Sequence, residues 1–195
     1  MEALEDVPYV AARAALPEHL EQRKKRGSDR MRYIADTTEF QIEEPTIVTL
    51  GKFDGRHRGH QKLLRTMMEL KKATGYPTAI FTFGTAPGTA VTGKPQTVIT
   101  TNLERRANME KVGIDYLVEY PFTEETRHME PEAFVKDILA GRMHAREIVV
   151  GPDCSFGYKG AGSAELLSAM ARDLGYHLHV IEKEKDHRRD ISSTY

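Results

Sequence analysis

Two histidines stand close together in the stretch VTLGKFDGRHRGHQKLL, Val48 to Leu64: His57 and His60, with Gly59 between them. Imidazoles so placed could ligate a metal, exchange protons or grip an anion. A β-like run precedes them and an amphipathic run follows. If a helix begins near Arg58 or Gly59, both histidines sit at its N-terminus. Backbone N–H groups are unpaired there, and the helix dipole favours negative charge. Imidazole N–H donors beside those amides would hold phosphate oxygens. Gly55 and Gly59 remove side chains where a phosphate must come close. The metal reading needs more ligands. His-x-x-His supplies two and Asp54 a third, but no H-E-x-x-H and no cysteine pair accompanies them. Two ordinary surface histidines are the plainer alternative. The order strand, glycine, histidine, helix favours the phosphate reading over it.

Other glycine-rich phosphate loops are missing. Gly93-Lys94 is followed by Pro95, so there is no Walker A motif, and "GYKGAG" does not follow the G-x-G-x-x-G order. A nucleophile elbow, G-x-S-x-G, is absent as well. Near the C-terminus, "ISST" offers three successive hydroxyls, Ser192, Ser193 and Thr194. They could cap a helix or bond a bound phosphate. Asp153 lies between Gly151 and Gly157, with Phe156 near. It could orient a polar ring, hold Mg²⁺ through oxygen, or make a local turn bond. Cys154 reads as a small buried residue, since no base is evident beside it.

The elements that would position these residues alternate. Strand candidates are "TIVTLGKF", "YPTAIFTF", "IDYLVEYPF", "REIVVGPD" and "YHLHVIEKE". Helix candidates are "HQKLLRTMMELKKATG", stopping at Gly75, and "TTNLERRANMEKVG", with a Thr101-x-x-Glu104 capping box. "EPEAFVKDILAGRM", with Pro131 in its first turn, and "SAELLSAMARDLG" follow. Such alternation predicts right-handed βαβ units and an α/β fold with a mostly parallel sheet of about five strands. Parallel sheets bind ligands beyond the carboxyl ends of their strands. "GKFDGRHRGH", "GTAPGTAVTGKP" and "GPDCSFGYKGAG" all fall at that edge.

Composition narrows the classes. The chain has 195 residues, a net charge of −1 and one cysteine. A near-neutral chain has no global field to attract nucleic acid or an anionic membrane. A lone cysteine makes neither an intrachain disulfide nor a thiolate zinc site, which points to a cytoplasmic protein. Residues 1–30 form a polar lead-in with a basic run at Arg23 to Arg26 and a Gly-Ser-Asp break. They are expected to be a flexible extension before a domain over residues 31–195.

Together, "GKFDGRHRGHQ", "GPDCSFG" and "ISST" resemble the FMN adenylyltransferase (FAD synthetase) module of bacterial bifunctional riboflavin kinase/FMN adenylyltransferases. That module belongs to the H-x-G-H nucleotidylyltransferase superfamily. The resemblance runs from about Met31 to Tyr195 and rests mainly on G-x-F-D-G-x-H-x-G-H, Gly51 to His60. It implies a Rossmann-like doubly wound nucleotidylyltransferase fold, with ATP and FMN as substrates and Mg²⁺ accompanying ATP. His57 and His60 would bind the ATP phosphates and stabilise charge on the leaving pyrophosphate. Gly51, Phe53, Asp54, Gly55 and Gly59 would shape the nucleotide pocket. Ser192, Ser193 and Thr194 would close over the phosphates, and Asp153 and Phe156 would lie toward the flavin.

The chain departs from the family pattern in three places. "TFGTAPGTA" stands where T-F-x-P-x-P is usual, and Cys154 replaces a phenylalanine. The arginine that ends the I-S-S-T-x-x-R signature would fall two residues past Tyr195. A riboflavin kinase domain would follow it. The expectation is therefore a truncated chain with reduced turnover. Two alternatives remain open: another H-x-G-H nucleotidylyltransferase with a different phosphate acceptor, or a non-catalytic nucleotide- or flavin-binding module.

Overall fold

The computed structural model describes residues 31–53, 58–84, 102–182, 185–186 and 189–190. Six parallel strands form one sheet in the order β1-β4-β3-β2-β5-β6. They are β1 (Arg32–Ala35), β2 (Thr46–Leu50), β3 (Thr78–Phe83), β4 (Tyr116–Tyr120), β5 (Ala145–Val150) and β6 (His177–Val180). A separate antiparallel pair joins β7 (Lys185–Asp186) to β8 (Arg189–Asp190). The helices are α1 (Arg58–Thr74), α2 (Asn102–Val112), α3 (Glu124–Arg127), α4 (Pro131–Ala133) and α5 (Ala164–Leu174).

Side-chain alternation explains why the sheet is covered on both faces. Ile47, Ile80, Leu117 and Val149 point to one face, where they meet Leu63, Leu64 and Met67 of α1 and Met109 of α2. Val48, Phe81, Val118 and Ile148 point to the other, against Val135, Ile138, Leu139 and Leu167. Strands buried on both faces read as continuous apolar runs, as in "TIVTL" and "REIVV". Helix α1 buries Leu63, Leu64 and Met67, one helical stripe. It has no acidic residue in its first turn and ends with Lys71 and Lys72, which suit the negative end of its dipole. Gly75 stops it at φ 75°, with its N–H on the Lys71 carbonyl.

Three elements differ from expectation. The sheet has a sixth strand, β1, on its outer edge. "RYIA" is short and half-exposed, so no apolar run marks it. It forms by pairing with β4, Arg32 opposite Tyr116 and Ala35 opposite Glu119. The predicted helix over "EPEAFVKDILAGRM" begins as α4 but continues as a π-helix, Phe134–Arg142. Its buried residues Phe134, Val135, Ile138 and Leu139 fit either winding, so periodicity could not separate the two. The fifth predicted strand, "YHLHVIEKE", is shorter: β6 ends at Val180.

Candidate active site

The strand order sets the site. Strands β3 and β4 lie on one side of β2, and β5 and β6 on the other. The helices change faces with this reversal. Such a switch point opens a crevice beyond the carboxyl ends of the two central strands. Val48 pairs with Ile148. The strands run parallel, and Gly51 and Gly151 directly follow their ends at Leu50 and Val150. The two segments singled out from sequence, starting at Gly51 and at Gly151, therefore leave adjacent strands at the same edge.

On the β2 side, the Gly51 N–H donates to the Phe81 carbonyl at 3.1 Å. A Cβ on Gly51 would stand 3.2 Å from Cε2 of Phe53. The glycine thus leaves room for the Phe53 ring, which is buried and packs on the His60 ring at 4.8 Å between centroids. His60 lies in the first turn of α1, and its Nδ1 is out of contact with solvent. Gly59 has nothing within 4 Å of where its Cβ would be. The space over the start of α1 is open on that side. Asp54, Gly55 and His57 lie outside the described residues, as do Ser192, Ser193 and Thr194 and the Thr101 cap. The expected extension over residues 1–30 lies outside them too.

On the β5 side, Gly151 to Cys154 is a turn closed by the Cys154 N–H on the Gly151 carbonyl at 3.2 Å. Asp153 is exposed within it, its Oδ1 3.1 Å from where a Gly151 Cβ would be. Phe156 points inward instead. It is 7% exposed, stacks on Phe134 at 5.4 Å, and pairs with Gly162 in an isolated bridge. Its contribution here is to shape the turn from below. Burial pushes the Cys154 thiol up to about 11, with the Asp153 and Glu165 carboxylates adding to the shift. A thiol held so high is a poor nucleophile, in line with the sequence reading.

The same edge carries aromatic pairs that were not singled out from sequence. Phe83, ending β3, meets Phe122 edge-on at 5.0 Å. His128 stacks on Tyr158 at 4.8 Å, and the Tyr158 N–H donates to the Met129 carbonyl. Aromatic residues closing successive strands, as in "FTF" and "YPF", are the signal that could have found the first pair.

Among the described residues, no group of three or more His, Cys, Asp and Glu side chains could hold a metal ion. No described helix is long and apolar enough to cross a membrane.

Comparison with known proteins places this geometry. A bifunctional riboflavin kinase/FMN adenylyltransferase of Listeria monocytogenes is 31% identical over 160 residues, 81% of this chain and 50% of that protein. A FAD synthetase of the same organism is 30% identical over 150 residues, 76% of this chain and 60% of its own length. The chain spans about half the length of the bifunctional relatives it matches. A solved structure from Streptococcus pneumoniae, described as a macrolide-efflux protein, superposes with a TM-score of 0.71 at 25% identity, over 84% of this chain and 53% of that one. The FAD synthetase family matches residues 39–195, a span that includes both segments of the switch-point crevice. On that match the chain belongs to the FAD synthetase family.

Proposed function

We propose that the chain transfers the AMP of ATP to FMN, giving FAD and pyrophosphate. An oxygen of the FMN phosphate attacks the α-phosphorus of ATP. A new P–O–P link forms, the bond from the α-phosphorus to the β-phosphate's bridging oxygen breaks, and pyrophosphate leaves with that electron pair. No covalent enzyme intermediate is needed. Positioning and charge neutralisation supply the catalysis.

In this reading His57 and His60 donate N–H bonds to the ATP phosphates as charge builds on the leaving group. Gly55 and Gly59 give the phosphates room, Gly51 and Asp54 shape the nucleotide pocket, and Ser192, Ser193 and Thr194 close over the phosphates. Asp153 faces the second substrate, with Phe156 holding its turn in place. Magnesium commonly reaches such sites on nucleotide phosphates and touches one or two carboxylates, not a full protein cage. The exposed Asp153 carboxylate is a donor of that kind, and the ion would neutralise phosphate charge when bound.

One observation carries the proposal. The β3-β2-β5 order makes β2 and β5 neighbours, so the segments that begin at Gly51 and Gly151 leave adjacent strands at a switch point. The names of the Listeria relatives support FMN as the acceptor. Incubation with ATP, FMN and Mg²⁺ should yield FAD and one pyrophosphate per turnover, read by chromatography. An adenylylated product with another phosphate acceptor and none with FMN would overturn it. Tight binding of ATP or FMN without turnover would favour a binding module instead.

A further inference from the structure

Phe53 has a backbone φ of 46°, a region bulky residues seldom occupy, yet its side chain is only 2% exposed. Such a conformation persists where the surroundings over-determine it, and it concentrates at functional positions. Two neighbours hold this ring. Gly51 is one: a Cβ there would stand 3.2 Å from Cε2 and 3.5 Å from Cδ2 of Phe53. His60 is the other, its plane tilted 34° from that of Phe53. Ile47, Leu63, Leu64 and Met67 complete an apolar seat.

The placement matters because of what lies between. Phe53 precedes residues 54–57, and its side chain reaches His60 beyond them. The end of β2 and the start of α1 are therefore joined through one ring, independently of the intervening backbone. The plane of an imidazole turns on a soft torsion, so a ring packed against it constrains that plane.

We infer that Phe53 is a positioning residue for adenylyl transfer, one that sets the plane of the His60 imidazole and acts on ATP only through it. The inference rests on the reading under Proposed function. A side chain so fully buried has little surface with which to touch a nucleotide.

A kinetic double-mutant cycle on the full chain tests this, with F53L, H60A and F53L/H60A assayed for FAD formation. Leucine keeps the apolar burial and removes the flat ring. F53L should lower kcat by about tenfold or more while the KM for ATP stays within about twofold. In the H60A background the same change should add no further loss, because the two residues act as a unit. Equal fold losses in both backgrounds overturn the inference, as does wild-type kcat in F53L. Should F53L fail to fold, F53M serves in its place: it too keeps the apolar burial without the flat ring, and the same non-additivity is expected. If the wild-type chain makes no FAD, the adenylyl-transfer reading has failed by itself. The brace is then judged by proton NMR. The His60 ring signals should sit upfield in the wild type and move in F53L, and unmoved signals overturn the brace.

Discussion

The Glu119 carboxylate binds Arg105 through one oxygen, at 2.7 Å, and Arg106 and Tyr33 through the other, at 3.1 and 2.6 Å. Glu119 itself is almost fully buried. The cluster ties the edge strand β1, through Tyr33, to β4 and α2. Burial alone would raise the Glu119 pKa. Hydrogen bonds from Arg106, Arg105 and Tyr33 outweigh it and hold the carboxyl below its ordinary value.

Removing this carboxylate should unfold the edge of the sheet first. E119A leaves two guanidinium groups uncompensated, one of them buried, and should destabilise by about 3 kcal/mol or more in urea unfolding. The pH dependence has a definite sign. A folded pKa below the unfolded one means that the stabilisation is complete above the usual glutamate range, about 4.3. It is lost as pH falls through the lowered folded value. E119Q should therefore show a shallower fall in stability on acidification than the wild type. An identical slope would remove Glu119 from the acid response.

Gly157 and Gly59 should respond in opposite ways to one added methyl. Gly157 has φ 72°, and its Cβ would lie 2.7 Å from Cα of Pro131, a backbone atom that cannot swing aside. G157A should cost about 2–4 kcal/mol from strain and overpacking. G59A meets nothing within 4 Å and should leave the melting temperature unchanged or slightly higher. If phosphates approach there, G59A should still raise the KM for ATP by about tenfold. Thermal melts beside ATP titrations separate the two.

The Cys154 thiol should be inert in the folded protein. With its pKa raised to about 11 by burial, little thiolate exists at neutral pH. Alkylation by iodoacetamide at pH 7.5 should be slow until denaturant is added. Rapid labelling of the native chain would contradict its half-buried placement and raised pKa.

Substitution of either histidine should reduce the rate and not merely the affinity. H57A and H60A should each lower kcat by at least ~100-fold, the scale for losing a donor to developing charge. Circular dichroism should stay close to wild type. A change confined to KM would instead mark them as ground-state binders.

Much of the site is legible in the chain because its signals are local. "GKFDGRHRGHQ" joins a strand to a helix within a few residues, and α1 begins at Arg58 with His60 in its first turn. Gly75, Gly113 and Gly175 close their helices at positive φ where the apolar periodicity stops. Less was legible at "GPDCSFG". Phe156, which the family resemblance sets toward the flavin, is buried against Phe134, while Asp153 stays on the surface. Alternation along an irregular turn does not say which side chain goes inward. The Phe53–His60 contact was equally out of reach, since both residues belong to one motif and only their relative angle is informative.

By itself the sequence determined the α/β alternation, the edge of the sheet at which chemistry could occur, and the residue types that suit a phosphate. Those follow from periodicity, breakers and donor chemistry over short spans. Only the tertiary structure decided that β2 and β5 are neighbours, so that the segments after Leu50 and Val150 leave adjacent strands. It alone supplied β1, which forms by pairing with a strand more than eighty residues away, and the cluster of Glu119 with Arg105, Arg106 and Tyr33. Each of these depends on which buried faces meet, a choice made by the packing of the whole sheet and not by any one segment.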